Sequence, residues 1–376
     1  MHFVRDRRSL STGGALLATV LLAGCVSVPD LITRPRRLSP IDTLSRIQME
    51  QALELPRQAY QAPDGTSISW LRVDPIDRGF GYEVHRTRDS MRFGIRTTRR
   101  SPDPVPVAVH GSVVWLHGWG MDGSSVMPWA LGLAGLGYTG VVVDLRNHGF
   151  SPPAPVGYGV HEAGDVAALV RHLIATDSLP RPVFLAGISY GGSTALLAES
   201  QLHGEIAGII AMAPFANAGE SIRFLLQKAA DPHQRGMVRR LRAGWLRRQI
   251  RGERLDALVE EAGTRLEMDL DAVDIGPAVA ASRTCIVQLH GVRDRVIPID
   301  SARSLAAHGD RIQLHELPDE NHLTLSMRVD WLAGPLVSWM QDVAGSPGAD
   351  CPSLQLPADP LGPSTGPEAS GSQPPP

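Results

Sequence analysis

The sequence has little net charge, few cysteines and no long apolar run at its amino terminus. The formal net charge is −3 at pH 7, so no nucleic-acid partner is indicated. The amino-terminal apolar stretch, residues 15–23, is too short to span a bilayer. Only 3 of the 376 residues are cysteines. Hydrophobic residues make up 43% of the chain, which is enough apolar material for one large globular domain.

Residues 1–24 predict a secretory signal peptide. Three arginines within residues 5–8 precede the apolar stretch, and Leu22-Ala23-Gly24-Cys25 closes it. This ending resembles the lipobox of bacterial lipoprotein precursors, which implies that Cys25 is lipidated and becomes the mature amino terminus. An ordinary signal peptide or a retained anchor is the alternative. Residue 26 is Val and not Asp, which for such lipoproteins implies the outer rather than the inner membrane, with the protein facing the periplasm. Several acyl chains on one cysteine would anchor the protein to the membrane durably.

The two remaining cysteines lie in different kinds of sequence. Cys285 falls in a strand-like run, and Cys351 falls in a tail rich in proline and glycine. We predict two free thiols, although an oxidising periplasm also allows a disulfide. Removal of residues 1–24 takes away three arginines and one aspartate, so the mature net charge becomes about −5.

The rest of the chain divides by composition into three parts. Residues 25–61 carry several prolines and arginines and predict a tether, with one helix near residues 41–55. Residues 62–343 alternate strand-like and helical patterns, which predicts βαβ units and a mostly parallel sheet. Residues 344–376 have few bulky apolar side chains and predict a disordered tail.

One stretch has the pattern of a buried strand, a sharp turn and a helix. The apolar run 183–188 predicts the strand, and a helix is predicted after Ser189. Gly187 and Gly191 stand two residues before and two after this serine, where side chains would crowd the bend. A helix that begins at the serine would favour negative charge developing on its hydroxyl.

Three further motifs accompany this turn. His117-Gly118-Trp119-Gly120 follows a strand-like run, and a second loop, residues 144–151, follows another. The last motif is a pair of loops, residues 290–298 and 319–322. In this order the four motifs resemble the α/β-hydrolase superfamily over about residues 62–343. The second loop has Asn147 where that family usually has glycine, and asparagine tolerates a left-handed backbone conformation.

The resemblance implies an α/β-hydrolase fold, with a mostly parallel central sheet flanked by helices and a helical cap insertion. It implies a triad of Ser189 as nucleophile, His322 as general base and Asp294 as the group that orients the imidazole. The backbone N–H groups of Trp119 and Tyr190 would form the oxyanion hole. This chemistry needs no metal and no cofactor.

Other residues compete for these roles. Asp319 lies three residues before His322 and is a rival orienting group, although so close a loop neighbour rarely points back. Asp300 is a second rival, but it is better placed to cap a helix over residues 301–307. We predict structural roles for His117 and His290, which precede glycines at strand ends. Asp144 is predicted to fix its loop, and His148, His308 and His315 are predicted to be ordinary surface or loop residues.

The segment of about residues 215–280 is longer than a connection between two parallel strands requires, and its sequence pattern predicts helices. Two apolar stripes appear, Val238/Leu241/Trp245/Leu246 and Leu255/Leu258/Val259. Arginines cover the other faces, at positions 239, 240, 242, 247, 248, 251 and 254. One interpretation is a cap over the site that selects substrates, with arginines meeting anionic lipid or substrate. The alternative is a packed insert with a solvated basic face.

The sequence therefore predicts a lipid-anchored envelope serine hydrolase acting on a small-molecule or lipid carboxylic ester. A nucleophilic serine argues against the haloalkane dehalogenase and epoxide hydrolase branches, which use aspartate there. A peptidase similar to prolyl oligopeptidase, a thioesterase and a phospholipase stay open as alternatives. A non-catalytic envelope binding lipoprotein is the alternative from another class, and the presence of every triad residue argues against it.

Overall fold

Apolar strand sequences build the centre of an eight-stranded sheet in the computed structural model. The structure describes residues 27–86, 91–97, 105–233, 236–252, 254–346, 348 and 350–362. The sheet contains β1 (Arg57–Gln61), β2 (Ser67–Val73), β7 (Gly111–Leu116), β8 (Tyr138–Asp144), β9 (Val183–Ile188), β10 (Gly208–Met212), β11 (Cys285–Gly291) and β12 (Ile312–Leu317). Two small separate sheets pair β3 (Ile76–Asp77) with β6 (Val105–Pro106) and β4 (Phe80–Arg86) with β5 (Met91–Thr97).

The order of strands across the main sheet is β1-β2-β8-β7-β9-β10-β11-β12. β1 and β2 are antiparallel, as are β2 and β8, and every pairing from β8 to β12 is parallel. The predicted mostly parallel sheet is therefore confirmed. Because parallel strands end at the same edge, the loops that carry Trp119, Ser189, Asp294 and His322 share the carboxyl edge.

Helices cover both faces of the sheet. The helices are α1 (Val28–Thr33), α2 (Thr43–Ala52), α3 (Met127–Ala134), α4 (Val160–Ala175), α5 (Tyr190–Glu199), α6 (Ala218–Ala229), α7 (Met237–Gln249), α8 (Arg254–Arg265), α9 (Gly276–Ala281), α10 (Ile299–Ala306), α11 (His322–Leu325) and α12 (Val329–Gly345). None of these, nor any other helix in the described ranges, has the length and apolar content needed to cross a bilayer.

The two faces of the sheet bury two separate apolar cores, because neighbouring residues of a strand point to opposite sides. On one face Val114 and Leu185 pack with residues of α4 and α5. On the other face Trp115 and Phe184 pack with residues of α3 and α12. Both faces of the parallel strands are thus shielded from solvent, which is why their sequences are continuously apolar.

The alternating pattern of residues 82–98 predicts antiparallel strands of the sheet, but the strands there lie outside the main sheet. Among the described residues, β4 and β5 pair only with each other, and Phe80 and Tyr82 pack against the core under α3 and α12. The alternating pattern of residues 67–73 predicts another antiparallel strand, and β2 confirms it by pairing antiparallel with β1 and β8.

The predicted tether, residues 25–61, is wrong from residue 27 onward, although the helix predicted near residues 41–55 is confirmed as α2. Val28 and Ile32 of α1 are buried, and β1 pairs with β2 along its whole length. Arg46 of α2 is also buried, where it forms ion pairs with Asp144 and with Glu50. Burial of a cation is tolerated because several carboxylates surround it. The predicted signal peptide and Cys25 lie outside the described residues.

The predicted free thiols and the predicted disordered tail are also corrected. Cys285 and Cys351 form a disulfide, because folding brings their Cα atoms to 5.4 Å. Residues 350–362 pack on the domain, where Leu354 is buried and the Nε1 of Trp339 donates a hydrogen bond to the carbonyl oxygen of Pro352. Residues 363–376 of the predicted tail lie outside the described residues.

The region predicted as a cap, about residues 215–280, contains α6, α7, α8 and most of α9. In α8 the predicted stripe is correct, since Leu255 and Val259 are buried. In α7 it is half correct, because Leu246 is buried and Trp245 packs against the core, with Arg242 and Ala243 completing the buried face. Val238 and Leu241 instead face solvent. The apolar pattern alone cannot orient a helix that carries apolar residues on two sides.

Candidate active site

Ser189 stands at the bend between β9 and α5 with strained backbone. Its φ is 55° and its ψ is −115°, a conformation that residues with a side chain rarely adopt. The Ser189 N–H donates a hydrogen bond to the carbonyl oxygen of Met212 at the end of β10, which fixes the bend against the next strand. As the first residue of α5, Tyr190 has a backbone N–H with no acceptor inside its own helix.

The glycines around this serine allow backbone segments to approach closely. A Cβ on Gly187 would lie 2.1 Å from the carbonyl oxygen of Gly191. A Cβ on Gly191 would lie 2.3 Å from the carbonyl oxygen of Leu116. Both positions therefore accept only glycine, and the second contact fixes the serine turn against the end of β7, where the predicted oxyanion loop begins.

The predicted oxyanion loop lies beside the serine. A Cβ on Gly118 would be 3.7 Å from the Cβ of Ser189. The loop is held from outside by the amino-terminal segment, because the N–H of Leu38 donates a 2.6 Å hydrogen bond to the carbonyl oxygen of Gly120. Gly120 has a φ of 70°, and a Cβ there would strike the carbonyl oxygen of Arg36 at 2.5 Å.

His117 fixes the other side of this loop. Its Nδ1 lies 2.9 Å from the carbonyl oxygen of Gly118, and its Nε2 accepts a hydrogen bond from the N–H of Leu145. Burial lowers the pKa of His117, so the ring is neutral and donates through Nδ1. The predicted structural role of His117 is confirmed.

His322 and Asp294 are brought together, although 28 residues separate them. The Nδ1 of His322 lies 2.7 Å from Oδ2 of Asp294. Asp294 has a fully buried side chain, and that of His322 is 13% exposed. Oδ1 of Asp294 accepts hydrogen bonds from the N–H groups of Val296 and Ile297, at 2.7 and 2.9 Å. The carboxylate is thus held in one orientation with its other oxygen on the imidazole.

A second imidazole, that of His290, lies near the same carboxylate oxygen. The Nε2 of His290 is 3.0 Å from the carbonyl oxygen of Ile297 and 3.5 Å from Oδ2 of Asp294. Burial lowers the pKa of His290, which keeps the ring neutral beside the carboxylate. His290 therefore supports the position of Asp294, as its predicted structural role requires.

Neither rival carboxylate occupies the position of Asp294. Asp319 forms an ion pair with Arg293, with 2.7 Å between Oδ1 and Nη2. The side chain of Asp300 is 83% exposed and pairs with Arg303. The prediction that Asp300 caps a helix is wrong, because α10 begins at Ile299 and Asp300 lies within its first turn.

An aromatic cluster borders the serine turn and the oxyanion loop. The ring of Trp119 stacks on Tyr158, with centroids 5.1 Å apart, and lies 5.2 Å from the ring of Tyr190. Burial, and secondarily the charge of Glu162, raises the pKa of Tyr190 well above its usual value, so its hydroxyl stays neutral. His148, predicted to be an ordinary loop residue, is also part of this cluster and is buried.

Two buried ion-pair networks that the sequence did not reveal hold the site loops. In the first, Oδ1 of Asp144 accepts hydrogen bonds from Arg46 and from the N–H of Gly123, and Oδ2 accepts one from the N–H of Phe150. These bonds confirm that Asp144 fixes its loop. Asn147 in that loop has a φ of 59°, as expected for asparagine in left-handed backbone.

The second network lies behind the His322 loop. The fully buried guanidinium of Arg328 pairs with Glu320, two residues before His322, and with Asp359 of the carboxyl-terminal segment. No local sequence signal could pair Arg46 with Asp144 or Arg328 with Asp359, because these partners are distant in the chain. Within the described residues, no three histidine, cysteine or acidic side chains are grouped as a metal site.

Comparison with known proteins agrees with this architecture. Residues 113–334 match the model of the alpha/beta hydrolase family. An esterase of Pyrococcus furiosus, PF2001, has a similar structure, with a TM-score of 0.53 and 14% identity, covering 84% of this chain and 97% of that one. A bacterial membrane phospholipase A described as a virulence factor is similar with a TM-score of 0.52 and 18% identity, covering 81% and 92%.

No curated protein matches the chain by sequence. The structural similarities, all at low identity, show the fold. The family match spans more than half of the chain, from β7 into α12, and includes the serine turn and both loops that carry Asp294 and His322. The chain is therefore a member of the alpha/beta hydrolase family.

Proposed function

We propose that this protein is a serine hydrolase that cleaves a carboxylic ester through an acyl-enzyme intermediate. The observation that carries the proposal is the 2.7 Å contact between His322 and Asp294, at the sheet edge where Ser189 occupies a strained turn. A buried, oriented imidazole–carboxylate pair is the arrangement that activates a serine hydroxyl. The similar structures of an esterase and a phospholipase A support an ester as the substrate.

The acyl group of the ester is transferred twice, first to Ser189 and then to water. His322 accepts the proton of the Ser189 hydroxyl through Nε2 while the serine oxygen bonds to the ester carbonyl carbon. The carbonyl oxygen becomes an oxyanion that accepts hydrogen bonds from the N–H groups of Trp119 and Tyr190. His322 then protonates the alcohol as its bond to carbon breaks, and Asp294 stabilises the imidazolium meanwhile. Water repeats the sequence on the acyl-enzyme and releases the carboxylic acid.

The first test is labelling with a fluorophosphonate probe together with turnover of short-chain p-nitrophenyl esters. We expect one adduct, on Ser189, and loss of turnover to background in Ser189→Ala. Asp294→Asn should lower kcat by a factor on the order of 10³–10⁴, because an amide facing Nδ1 imposes the wrong imidazole tautomer.

Asp319→Asn is the matched control for the orienting carboxylate. It changes a carboxylate that lies three residues from His322 and pairs with Arg293, so kcat should stay within about threefold of wild type. Loss of activity in Asp319→Asn together with an active Asp294→Asn would contradict the assigned triad. A folded protein with neither adduct nor turnover would contradict the enzyme proposal and favour a binding lipoprotein.

We also propose that Cys25 is lipidated and anchors the mature protein to the outer membrane, facing the periplasm. The support is the Leu22-Ala23-Gly24-Cys25 ending after a short apolar run. Mass spectrometry of the mature protein from membranes should find an acylated amino-terminal cysteine, and Cys25→Ala should remove both the acyl mass and the membrane association. A mature chain without acyl groups would refute this proposal.

A further inference from the structure

The outer face of α7 exposes large apolar side chains that no other element covers within the described residues. Met237 is 77% exposed, Leu241 is 68% exposed and Val238 is 54% exposed. Met237 and Leu241 are four residues apart and therefore lie on one face, one turn apart. The opposite face of the helix, with Ala243 and Leu246, is the one that packs on the domain.

The same helix concentrates positive charge in an acidic protein. Residues 236–252 contain six arginines and no aspartate or glutamate, whereas the whole chain has a net charge of −3. Arg247 and Arg248 at the end of α7 are exposed. A short helix with exposed apolar side chains beside arginines has the composition of helices that lie in the headgroup region of a bilayer.

The amino-terminal chain approaches the domain beside this helix. Ser27 and Val28 line a cleft with Trp245 of α7 and Leu258 of α8. Asp30 of α1 forms an ion pair with Arg265 of α8, at 3.0 Å. The amino-terminal end of α1 is therefore packed against α7 and α8.

This placement limits where a lipid on Cys25 could sit. Only one residue separates Cys25 from Ser27 in the sequence, so an acyl chain on Cys25 would be attached close to the cleft that Ser27 lines. An acyl anchor there would hold the bilayer against the side of the domain that carries α7. The orientation of the domain on the membrane rests on the lipidation of Cys25 proposed above, whereas the composition and exposure of α7 do not.

We propose that the outer face of α7 docks on the surface of an anionic phospholipid bilayer. Met237, Val238 and Leu241 enter the headgroup region, and Arg247 and Arg248 contact lipid phosphates. The α6–α8 insert then lies against the membrane, so that a lipid ester could reach the domain from the bilayer surface.

The test uses the mature chain, residues 25–376, with Cys25→Ser and therefore without acyl groups. All described packing lies within residues 27–362, so this protein retains it. Co-sedimentation with vesicles of 30 mol% phosphatidylglycerol in phosphatidylcholine should show binding that weakens with salt and is much weaker on pure phosphatidylcholine. The double variants Met237→Asp/Leu241→Asp and Arg247→Glu/Arg248→Glu should each lower binding by about tenfold or more.

The matched controls make the same changes at the amino edge of the sheet. Val109 and Leu136 are exposed apolar residues there, and Arg181 and Arg283 are exposed arginines there. Val109→Asp/Leu136→Asp and Arg181→Glu/Arg283→Glu should bind vesicles as the parent does. Thermal melting of all four double variants should remain close to that of the parent, because every substituted side chain is exposed.

A fluorescent reporter gives a second, local readout. Nitrobenzoxadiazole attached to Leu241→Cys should shift to the blue on anionic vesicles, and the same dye on Leu136→Cys should not. Absence of parent binding to anionic vesicles, or equal loss in the controls, would overturn the proposal. The proposal would also be overturned if the parent were a dimer and Met237→Asp/Leu241→Asp dissociated it without changing vesicle binding. The outer face of α7 would then join two copies of the chain. Because no readout involves Ser189, failure here is distinguishable from failure of the hydrolase or lipidation proposals.

Discussion

At the scale of single residues, backbone segments around Ser189 approach so closely that Gly187 and Gly191 have no room for a side chain. Ser189 adopts its strained φ of 55° because Gly187 and Gly191 let three backbone segments meet around it. The strain costs free energy that the surrounding packing of β7, β9 and β10 must offset. Its benefit is a serine hydroxyl at the sheet edge, beside the first N–H groups of α5.

Gly187→Ala should therefore destabilise the protein strongly. The added Cβ would lie 2.1 Å from the carbonyl oxygen of Gly191, so we expect a loss of about 3 kcal/mol in the free energy of unfolding. Gly164→Ala in α4 is the control, because nothing lies within 4 Å of its added Cβ. It should raise the free energy of unfolding by about 0.5–1 kcal/mol. Urea titrations measure both; similar effects of the two variants would contradict the packing argument.

Buried neutral histidines around the site should make stability sensitive to mild acid. Burial lowers the pKa of His148 to about 3 from its ordinary 6.5. Between these values the unfolded chain binds a proton that the folded protein does not, so stability falls as pH falls below about 6.5. From pH 7.5 to 5.5 this one residue should cost about 1.4 kcal/mol.

His148→Asn should reduce this pH dependence by that amount, as measured by urea unfolding at pH 7.5 and 5.5. His233→Asn is the control, because the His233 side chain is 90% exposed. An unchanged difference between the two pH values in His148→Asn would show that His148 does not stay neutral in the folded protein.

At the scale of elements, segments far apart in sequence brace the loops of the site. α2 supplies Arg46 to Asp144, and the carboxyl-terminal segment supplies Asp359 to Arg328 behind the His322 loop. That segment is in turn fastened to β11 through the Cys285–Cys351 disulfide. The strand order therefore explains where the site is, and these flanking segments explain why its loops hold their shape.

The disulfide should contribute substantially to stability. It closes a loop with a sequence separation of 66 residues, and such a crosslink typically stabilises by about 2–4 kcal/mol by restricting the unfolded chain. Cys351→Ser should lower the midpoint of thermal unfolding relative to oxidised wild type and should match reduced wild type. Thiol titration of denatured, unreduced mature protein checks the bond itself: free thiols at both positions would contradict it.

At the scale of the whole molecule, segments near both ends of the described chain pack on the domain, with Val28 and Leu354 both buried. α1, α2 and β1 contribute buried apolar residues, including Val28 and Ile32, and one edge strand of the sheet. Arg46 supplies positive charge to the buried carboxylates Asp122 and Asp144. Loss of a cation that pairs with a buried carboxylate is costly because the carboxylate stays buried with less compensation for its charge.

A chain that begins at residue 62, the boundary predicted from composition, should therefore fail to fold stably. We expect it to precipitate or to melt without a cooperative transition, whereas the chain that begins at residue 25 melts cooperatively. Circular dichroism during heating compares the two. Arg46→Met in the full mature chain is the finer test, with an expected loss of about 3–5 kcal/mol. Equal melting temperatures for the two truncations would contradict the buried role of α1 and α2.

The sequence determined the local chemistry and the class of fold. The apolar strands and the glycines around Ser189 are short-range patterns with a direct physical meaning, and they predicted the sheet and the serine turn. The order of the motifs carried the resemblance that implied the contact of Asp294 with His322. The tertiary structure alone decided which segments are packed. Pairing of Cys285 with Cys351, burial of Arg46 and Arg328, and the outward face of α7 all depend on partners distant in the chain. Composition describes a segment by itself, but burial depends on the surface that the rest of the molecule offers to it.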